Sequence, residues 1–487
     1  PRSLQVSRKQ LFQLSCISRS LPEPIKPVVE KALAKFEETV TAAVDPPFYG
    51  KTERQFASYC SNYFRRLRPK LRQKLRRCHV TIWSNSADAI NTRADGGAMK
   101  STFDLLGYER PVPSHVWHQA LSDHVKSYEA KVDPFWDPPM PSKAIVIAEL
   151  GYKARIVTKN DPSFVAFAHR YRKALFPFAT KGKWAKQYLR ELPKVIPVKE
   201  QTGKLFYSSD FTAATDTISH NCLFYVCQQL DLPAELVYKF DLETANGIKP
   251  TTRGCFMGLP LSWTILELLH ALILKKIHIS DFGIKGDDAW IYCTEKQFNH
   301  YKRLATFVGL ELNQTKTFVS ADSFTFCEGF YQRTNADVVE LVPTFSIRGL
   351  IKVEPPYFPQ LSTWAFDSLR RGLDGGRVYS LINDVGPKWL AVAKQMGTPL
   401  HLPPFAGGLG LPHPNPSTEM SVSNALLLLG SLDLGVRAPI VSVQSKGPYK
   451  TASEISAEVR YSVSVPKGAR CPHWNAHEES LLRRQSV

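Results

Sequence analysis

The stretch Gly286-Asp287-Asp288 restricts what this chain can fold into more than any other. Two adjacent carboxylates are enclosed there by apolar runs, Phe282-Gly-Ile-Lys before and Ala289-Trp-Ile-Tyr-Cys293 after. Short apolar runs flanking a Gly-containing polar step predict a strand-turn-strand hairpin with the acids at its exposed tip. A third acid, Asp210, ends an upstream run, Lys204-Leu-Phe-Tyr-Ser-Ser, that reads as another strand. Bringing it beside the pair is unfavourable: like charges about 4 Å apart repel by about 1 kcal/mol in water and about 4 kcal/mol at an effective dielectric of 20. A divalent cation reverses that sign. Hard oxygen ligands with no adjacent His or Cys set favour Mg2+, with Mn2+ as a substitute, over zinc, and Mg2+ takes one or two carboxylates plus substrate phosphates. Asp210, Asp287 and Asp288 are therefore candidate metal ligands and catalytic residues for phosphoryl transfer. Adjacent Asp residues in a Gly turn are also common on surfaces, so the accompanying residues decide.

Upstream, Ala144-Ile-Val-Ile-Ala reads as a strand, Glu149-Leu-Gly-Tyr as a turn and Lys153-Ala-Arg-Ile-Val-Thr-Lys159 as a second strand. Side chains alternate across a strand, so Lys153, Arg155 and Lys159 share one face. Such a row can hold a nucleoside triphosphate, Arg155 by its planar fork and the lysines as point charges. A solvent-facing edge strand guarded by Lys gives the same pattern. Asp216 follows Asp210 where the chain turns into a helix from about Ser219 to Leu230. It can receive the sugar hydroxyls of a nucleotide whose phosphates sit at Asp210, or it can serve as the charge at that helix N-terminus. The run from Arg253 to Thr264 joins a Gly-rich loop, which a base or ribose can approach closely, to an apolar helix. His270 on that helix reads as a packed core residue. Past a helix near 295–308, Lys316 can deliver a proton to departing pyrophosphate. Phe324 to Phe330 alternates as a strand or hairpin does.

The net charge of +18 and 11% aromatic residues bound the class. A strongly basic chain implies a polyanionic partner, and nucleic acid is the leading one. With 43% hydrophobic residues the chain is globular, not disordered. Nine scattered cysteines, without C-x-x-C spacing, suggest reduced thiols in an intracellular setting. The group Cys471, His473 and His477 lacks the fourth ligand of a structural zinc site. The longest apolar run, Leu261 to Leu274, is interrupted by Glu267 and His270, so no membrane span is expected. The chain begins at Pro1, as a fragment or processed product does; residues 1–20 share the basic, Ser-rich composition of transit peptides without their amphipathic repeat.

Towards the N-terminus, Val28, Val29, Leu33, Phe36 and Val40 recur at helical spacing. The dense basic stretch from Arg65 to Arg77, adjoined by Tyr63 and Phe64, suits either RNA phosphates or a solvated helix face, and Pro69 is expected to break or kink any helix there. Gly- and Pro-rich residues 92–141, closing on Asp133 to Pro141, mark a boundary. His169 to Phe176 reads as helical until Pro177, and residues 367–396 as helices joined by turns.

The order of these signals is more specific than any one of them. A basic K-x-R-x-V-T-K strand, D-x5-D, a Gly-rich loop leading into a helix, GDD, G-x-E-L-N-x-x-K-T and F-x-F-x-E resemble motifs F, A, B, C, D and E of viral RNA-dependent RNA polymerases. The details DFTAATDTIS, GCFMGLPLSW with His270, and Gly407-Gly-Leu-Gly-Leu-Pro412 are most similar to the narnavirus, mitovirus and ourmia-like (botourmiavirus) group, the ourmia-like branch above all. The resemblance spans about residues 145–412. It implies an α+β right-hand polymerase fold of fingers, palm and thumb, with an antiparallel palm sheet flanked by helices. Residues 1–140 would be an N-terminal extension and fingers-associated segment, 141–345 fingers and palm, 346–445 thumb and 446–487 an irregular tail.

By the same resemblance Asp210 and Asp287 ligate two Mg2+ ions with Asp288 in support, Lys153, Arg155 and Lys159 hold the triphosphate, and Lys316 is the general acid. Asp216 selects ribose, assisted from the Gly-rich loop, where the chain offers Ser262 and Thr264 and departs from the S-G-x3-T-x3-N pattern of many positive-strand polymerases. The implied partners are template and product RNA and rNTPs, with further viral or host proteins compatible, and the implied setting is the host cytoplasm rather than the mitochondrion. A reverse transcriptase shares the palm but usually has an aromatic steric gate where this chain has Asp216. A basic RNA-packaging protein accounts for the charge but not for the ordered acids.

Overall fold

The computed structural model describes residues 7–43, 50–78, 140–344 except 190, 191, 239, 245 and 246, and 364–385 except 370, with scattered positions between 97 and 123 and between 387 and 411. The boundary sought at 133–141 apart from Met140 and Pro141, which open a strand, most of 346–445, the 407–412 motif apart from Leu411, and the tail with Cys471, His473 and His477 lie outside the described residues. The chain divides into two compact units, residues 22–341 and residues 1–21 with 342–487.

The larger unit is α+β. Its central sheet has the order β7-β8-β4-β9, with β4 at Lys204–Ser209, β7 at Asp281–Lys285, β8 at Asp288–Thr294 and β9 at Phe318–Ser320, all neighbours antiparallel. Both faces of β4 and β8 are covered, which is why their sequences run almost continuously apolar. Tyr207, Ala289, Ile291 and Cys293 point into the main helical core, whereas Phe206, Trp290 and Tyr292 point into a second cluster with Phe324 and Tyr331. That cluster is backed by the sheet β10-β11-β12-β3 (Ser323–Phe326, Gly329–Asn335, Val338–Leu341 and Val195–Pro197). Its aromatic rings pack closely, Trp290 to Phe324 at 4.9 Å and Phe206 to Phe324 at 5.1 Å between centroids.

A third sheet joins two hairpins. β1 (Met140–Glu149) pairs antiparallel with β2 (Lys153–Lys159), the Glu149-to-Lys153 turn lying where the sequence predicts it. β1 also pairs parallel with β5 (Phe240–Thr244), which turns back into β6 (Gly247–Pro250).

The helix Ser262–Lys276 runs through the core: apart from Trp263, every residue from Ser262 to Leu274 is buried. A helix apolar all round belongs inside, and the polar groups it carries there need partners. Around it pack the helices Lys51–Arg77, Pro162–Ala179 and Glu295–Phe307.

Neither expected proline break occurs. The helix Lys51–Arg77 continues through Pro69, because Phe56, Cys60, Phe64, Leu67 and Leu71 anchor it on both sides. Likewise Pro162–Ala179 runs past Pro177 to the buried Ala179. The helix Lys26–Thr41 forms as its spacing predicts and buries Phe36 and Val40. In the smaller unit, Trp364, Ala365, Val378, Ile382 and Leu411 form a separate core, with Asp374 capping the helix Gly375–Val385. Among the described residues no helix is long and apolar enough to cross a membrane, and the eight cysteines there are free thiols.

Candidate active site

Asp210 stands just beyond the end of β4, where the chain leaves the sheet. Its carbonyl accepts from Asn313 N–H at 2.9 Å, and Phe211 bridges to Leu312. The Asn313 side chain closes a tight turn by accepting from Thr315 N–H at 3.2 Å and from its hydroxyl at 2.8 Å. That turn delivers Lys316, whose Nζ lies 2.8 Å from Asp210 Oδ2. The contact is an ion pair without hydrogen-bond alignment, and Asp210 Oδ2 is buried.

Asp287 occupies the β7–β8 turn, which a buried scaffold holds by the backbone of Gly286. Gly286 has φ +68°, and a Cβ there would meet Trp263 Nε1 at 2.6 Å, so the turn requires glycine. Its N–H donates to Glu267 Oε2, and its carbonyl lies 3.0 Å from His270 Nδ1. A carbonyl only accepts, so His270 carries its proton on Nδ1. Burial holds that imidazole at a pKa of about 4, hence neutral, so Nε2 must accept from the Tyr301 hydroxyl at 2.9 Å. Ser209, immediately before Asp210, in turn donates to Tyr301 at 3.1 Å. One buried chain, Ser209–Tyr301–His270–Gly286, thus ties the strand end that presents Asp210 to the turn that presents Asp287. Burial pushes Glu267 up to about 7, against the lowering effect of the Gly286 N–H. Glu267 and Tyr301 carry no role in the sequence reading; the available signal was a carboxylate inside a largely apolar helix.

The acids and the cations meet electrostatically. Asp287 is exposed at the turn tip, yet the surrounding protein strips part of its hydration and raises its pKa, with Asp210 adding to the rise; its own backbone N–H, Lys153 and Arg155 oppose it. Lys153 is lowered by partial desolvation and by Arg155 and Lys316, against Glu149 and Asp287. Arg155 Nε sits 3.1 Å from Glu149 Oε2. Asp210, Asp287, Lys153, Arg155 and Lys316 therefore form one neighbourhood. Lys159 does not join it at the same point: six residues of strand separate it from Lys153, roughly 20 Å. It follows Thr158, whose N–H donates to Met257 O at 2.8 Å on the Gly-rich loop. Asp288 turns instead towards Cys327, whose thiol is pushed up by burial and by that carboxylate.

Asp216 lies in the short helix Ala214–Thr217 and accepts from the Thr215 hydroxyl at 3.0 Å; burial raises it to about 7. The Gly-rich loop is docked against this turn through Gly254 N–H to Ile218 O at 2.8 Å and Cys255 N–H to Thr215 O at 2.7 Å. Ser262 spends its hydroxyl inside the loop, donating to Phe256 O at 2.7 Å, and Thr264 is fully buried with its hydroxyl unpartnered.

The donor set suits a hard cation: two neighbouring carboxylates, with Asp210 adding to the raised pKa of Asp287 and itself holding a buried oxygen outside hydrogen-bond alignment. Among the described residues no group of three His, Cys, Asp or Glu side chains is close enough to hold a metal by itself. The pair supplies the one or two carboxylates of a site that substrate phosphates complete.

The class defined so far is an α+β protein with an acid pair, ringed by cations, at the end of an antiparallel sheet. Two curated relatives carry a particular name. The chain is 22% identical over 365 residues to the RNA-directed RNA polymerase of Saccharomyces 23S RNA narnavirus, covering 64% of this chain and 38% of that protein. It is 25% identical over 480 residues to the RNA-directed RNA polymerase of Saccharomyces 20S RNA narnavirus, covering 83% of this chain and 56% of that protein. The chain thus spans about two fifths to a little over half of the length of these relatives. No family model matches it.

Proposed function

We propose that this chain is an RNA-directed RNA polymerase that copies the genome of a positive-strand RNA virus from rNTPs. The observation that carries the reading is the convergence of Asp210 and Asp287, from two separate strands, inside the cations Lys153, Arg155 and Lys316. The similarity to two narnavirus polymerases supports it. The finer assignments are a fingers, palm and thumb arrangement, the ourmia-like branch, and replication in the host cytoplasm, all resting on the order of motifs.

Asp210 and Asp287 would hold Mg2+, with Mn2+ as a substitute; when bound, the ions supply charge neutralisation and activation of the attacking hydroxyl. The chain's own residues do the rest. Lys153 and Arg155 bind and orient the triphosphate, and Lys159, at the far end of the strand, meets the RNA or base side of the substrate. Lys316 exchanges Asp210 for the pyrophosphate oxygens and gives up its proton as they leave. Asp216 receives the ribose hydroxyls, while Ser262 acts on the Phe256 carbonyl to hold the loop beside it. Template-directed synthesis tests the reading: on a homopolymeric single-stranded RNA with Mg2+, the complementary rNTP is incorporated, non-complementary rNTPs are not, and the matching dNTP is much poorer. Equal use of dNTPs would favour a reverse transcriptase. RNA binding without incorporation of any nucleotide would favour a packaging protein.

A further inference from the structure

We propose that the exposed face of the helix Lys51–Arg77 is a second RNA-binding surface, one that grips the phosphate backbone of single-stranded RNA without regard to sequence. The inference rests on the polymerase reading for its partner, but none of the helix's residues belongs to the acid-and-cation centre.

The helix is 27 residues long, about 40 Å. It carries ten Lys and Arg and a single acid, Glu53. That acid does not offset the charge of the outer face. It is 3% exposed, and both its oxygens accept from Arg303 on the helix Glu295–Phe307. The core stripe Phe56, Cys60, Phe64, Leu67 and Leu71 fixes which way the helix faces. Opposite it, at helical spacing, runs Arg54, Ser58, Asn62, Arg65, Pro69, Arg72 and Arg76, every one exposed and none acidic. Arg72, on this line, shares Asp231 with Arg68, so one carboxylate stands against two guanidiniums and the face stays net positive. Arg65 is steadied by the neutral Asn62 carbonyl at 2.6 Å, which orders the guanidinium without cancelling its charge.

At its N-terminal half this face borders an open cleft of about 710 Å3. Lys51, Arg54, Ser58 and Asn62 line one side and Lys276 reaches in from the central helix, 5.8 Å from the Tyr59 ring. Its lining offers donors and cations and no carboxylate. A solvated helix of this length is normally laced with Glu and Asp at i,i+4; this one is not, and the cleft continues its charge onto a second element. Charge of this kind fits polyphosphate, and the substrate class of the proposed polymerase centre makes that RNA.

The test uses the full chain carrying Asp287→Asn, so that binding is read without turnover and independently of whether the polymerase reading holds. Binding of an unstructured oligonucleotide is followed from 50 to 200 mM salt, before and after adding Lys51→Gln, Arg65→Gln and Arg76→Gln. Gln is a good helix former, and an unchanged Tm checks that the fold is kept. If each side chain neutralises one phosphate of a single strand, the salt slope becomes shallower by about 2, so the parent loses about twentyfold more affinity than the triple variant across that range. An unchanged slope and affinity would overturn the proposal. So would an equal loss from Lys26→Gln, Lys31→Gln and Lys35→Gln, exposed cations on another helix, because net charge alone would then account for the effect.

Discussion

Replacing His270 by Phe breaks the buried chain between the two halves of the candidate site. The Gly286 carbonyl and the Tyr301 hydroxyl then lose their partner in a fully buried position. A buried polar group left unsatisfied costs about 1–3 kcal/mol, so the variant is destabilised by about 2–6 kcal/mol. That lies below or near the typical ~5–15 kcal/mol of a folded chain, and the variant folds at low temperature. Tyr301→Phe strands the other pair, His270 Nε2 and the Ser209 hydroxyl. In the double variant the facing groups are both apolar, so two of the four orphaned groups disappear. Urea unfolding of the four proteins should therefore give a coupling energy of about 2–6 kcal/mol, the cost of the two groups no longer stranded. Each single variant should also lose about 100-fold in single-turnover rNTP incorporation, the usual effect of displacing a reacting group by about 1 Å, while RNA affinity is kept. Additive energies, or full activity in the singles, would refute the claim that this chain sets the spacing of Asp210 and Asp287.

Three further outcomes follow from the same geometry. The folded-state pKa of Glu267 is raised from 4.5 to about 7, so its contribution to stability is complete below pH 4.5 and is lost as pH rises towards 7. Glu267→Gln keeps an acceptor for Gly286 N–H without that loss, and should gain about 3 kcal/mol relative to the parent between pH 4.5 and 7; a urea-midpoint difference independent of pH sinks the idea. Gly286→Ala forces a left-handed residue, at about 1–2 kcal/mol, against the Trp263 indole, and should abolish incorporation while RNA binding persists; an active variant would mean the turn is not held as described. Lys316→Met should slow single-turnover incorporation by about 10²–10⁴ with little change in rNTP affinity, as loss of a proton donor does, whereas a change in affinity alone would assign Lys316 to binding.

The local hairpins were legible because alternation and turn residues act over a few positions: Phe282 to Cys293, Ala144 to Lys159 and Phe324 to Phe330 each fold as their patterns require. So was the burial of His270, a polar residue set among the leucines of a largely apolar helix. What a neighbour many residues away decides was not legible. Pro69 and Pro177 stay helical because tertiary packing outweighs the local defect. The parallel pairing of β1 with β5, the reach of Tyr301 to His270 and the turn of Asp288 towards Cys327 depend on elements brought together only by the fold. The row Lys153, Arg155 and Lys159 shares a strand, but strand length puts its ends at different places in the site.

The most direct test of the central claim, that Asp210 and Asp287 act together on a nucleotide, is the single-turnover rate of rNTP addition to primed RNA with Mg2+ for the wild-type chain, Asp210→Asn and Asp287→Asn. Each variant should fall by a thousandfold or more, about 4 kcal/mol of barrier. The Tm of Asp287→Asn should hold or rise, since the change relieves repulsion from Asp210, whereas Asp210→Asn also gives up the ion pair with Lys316. Wild-type rates in a folded Asp287→Asn chain would contradict the account.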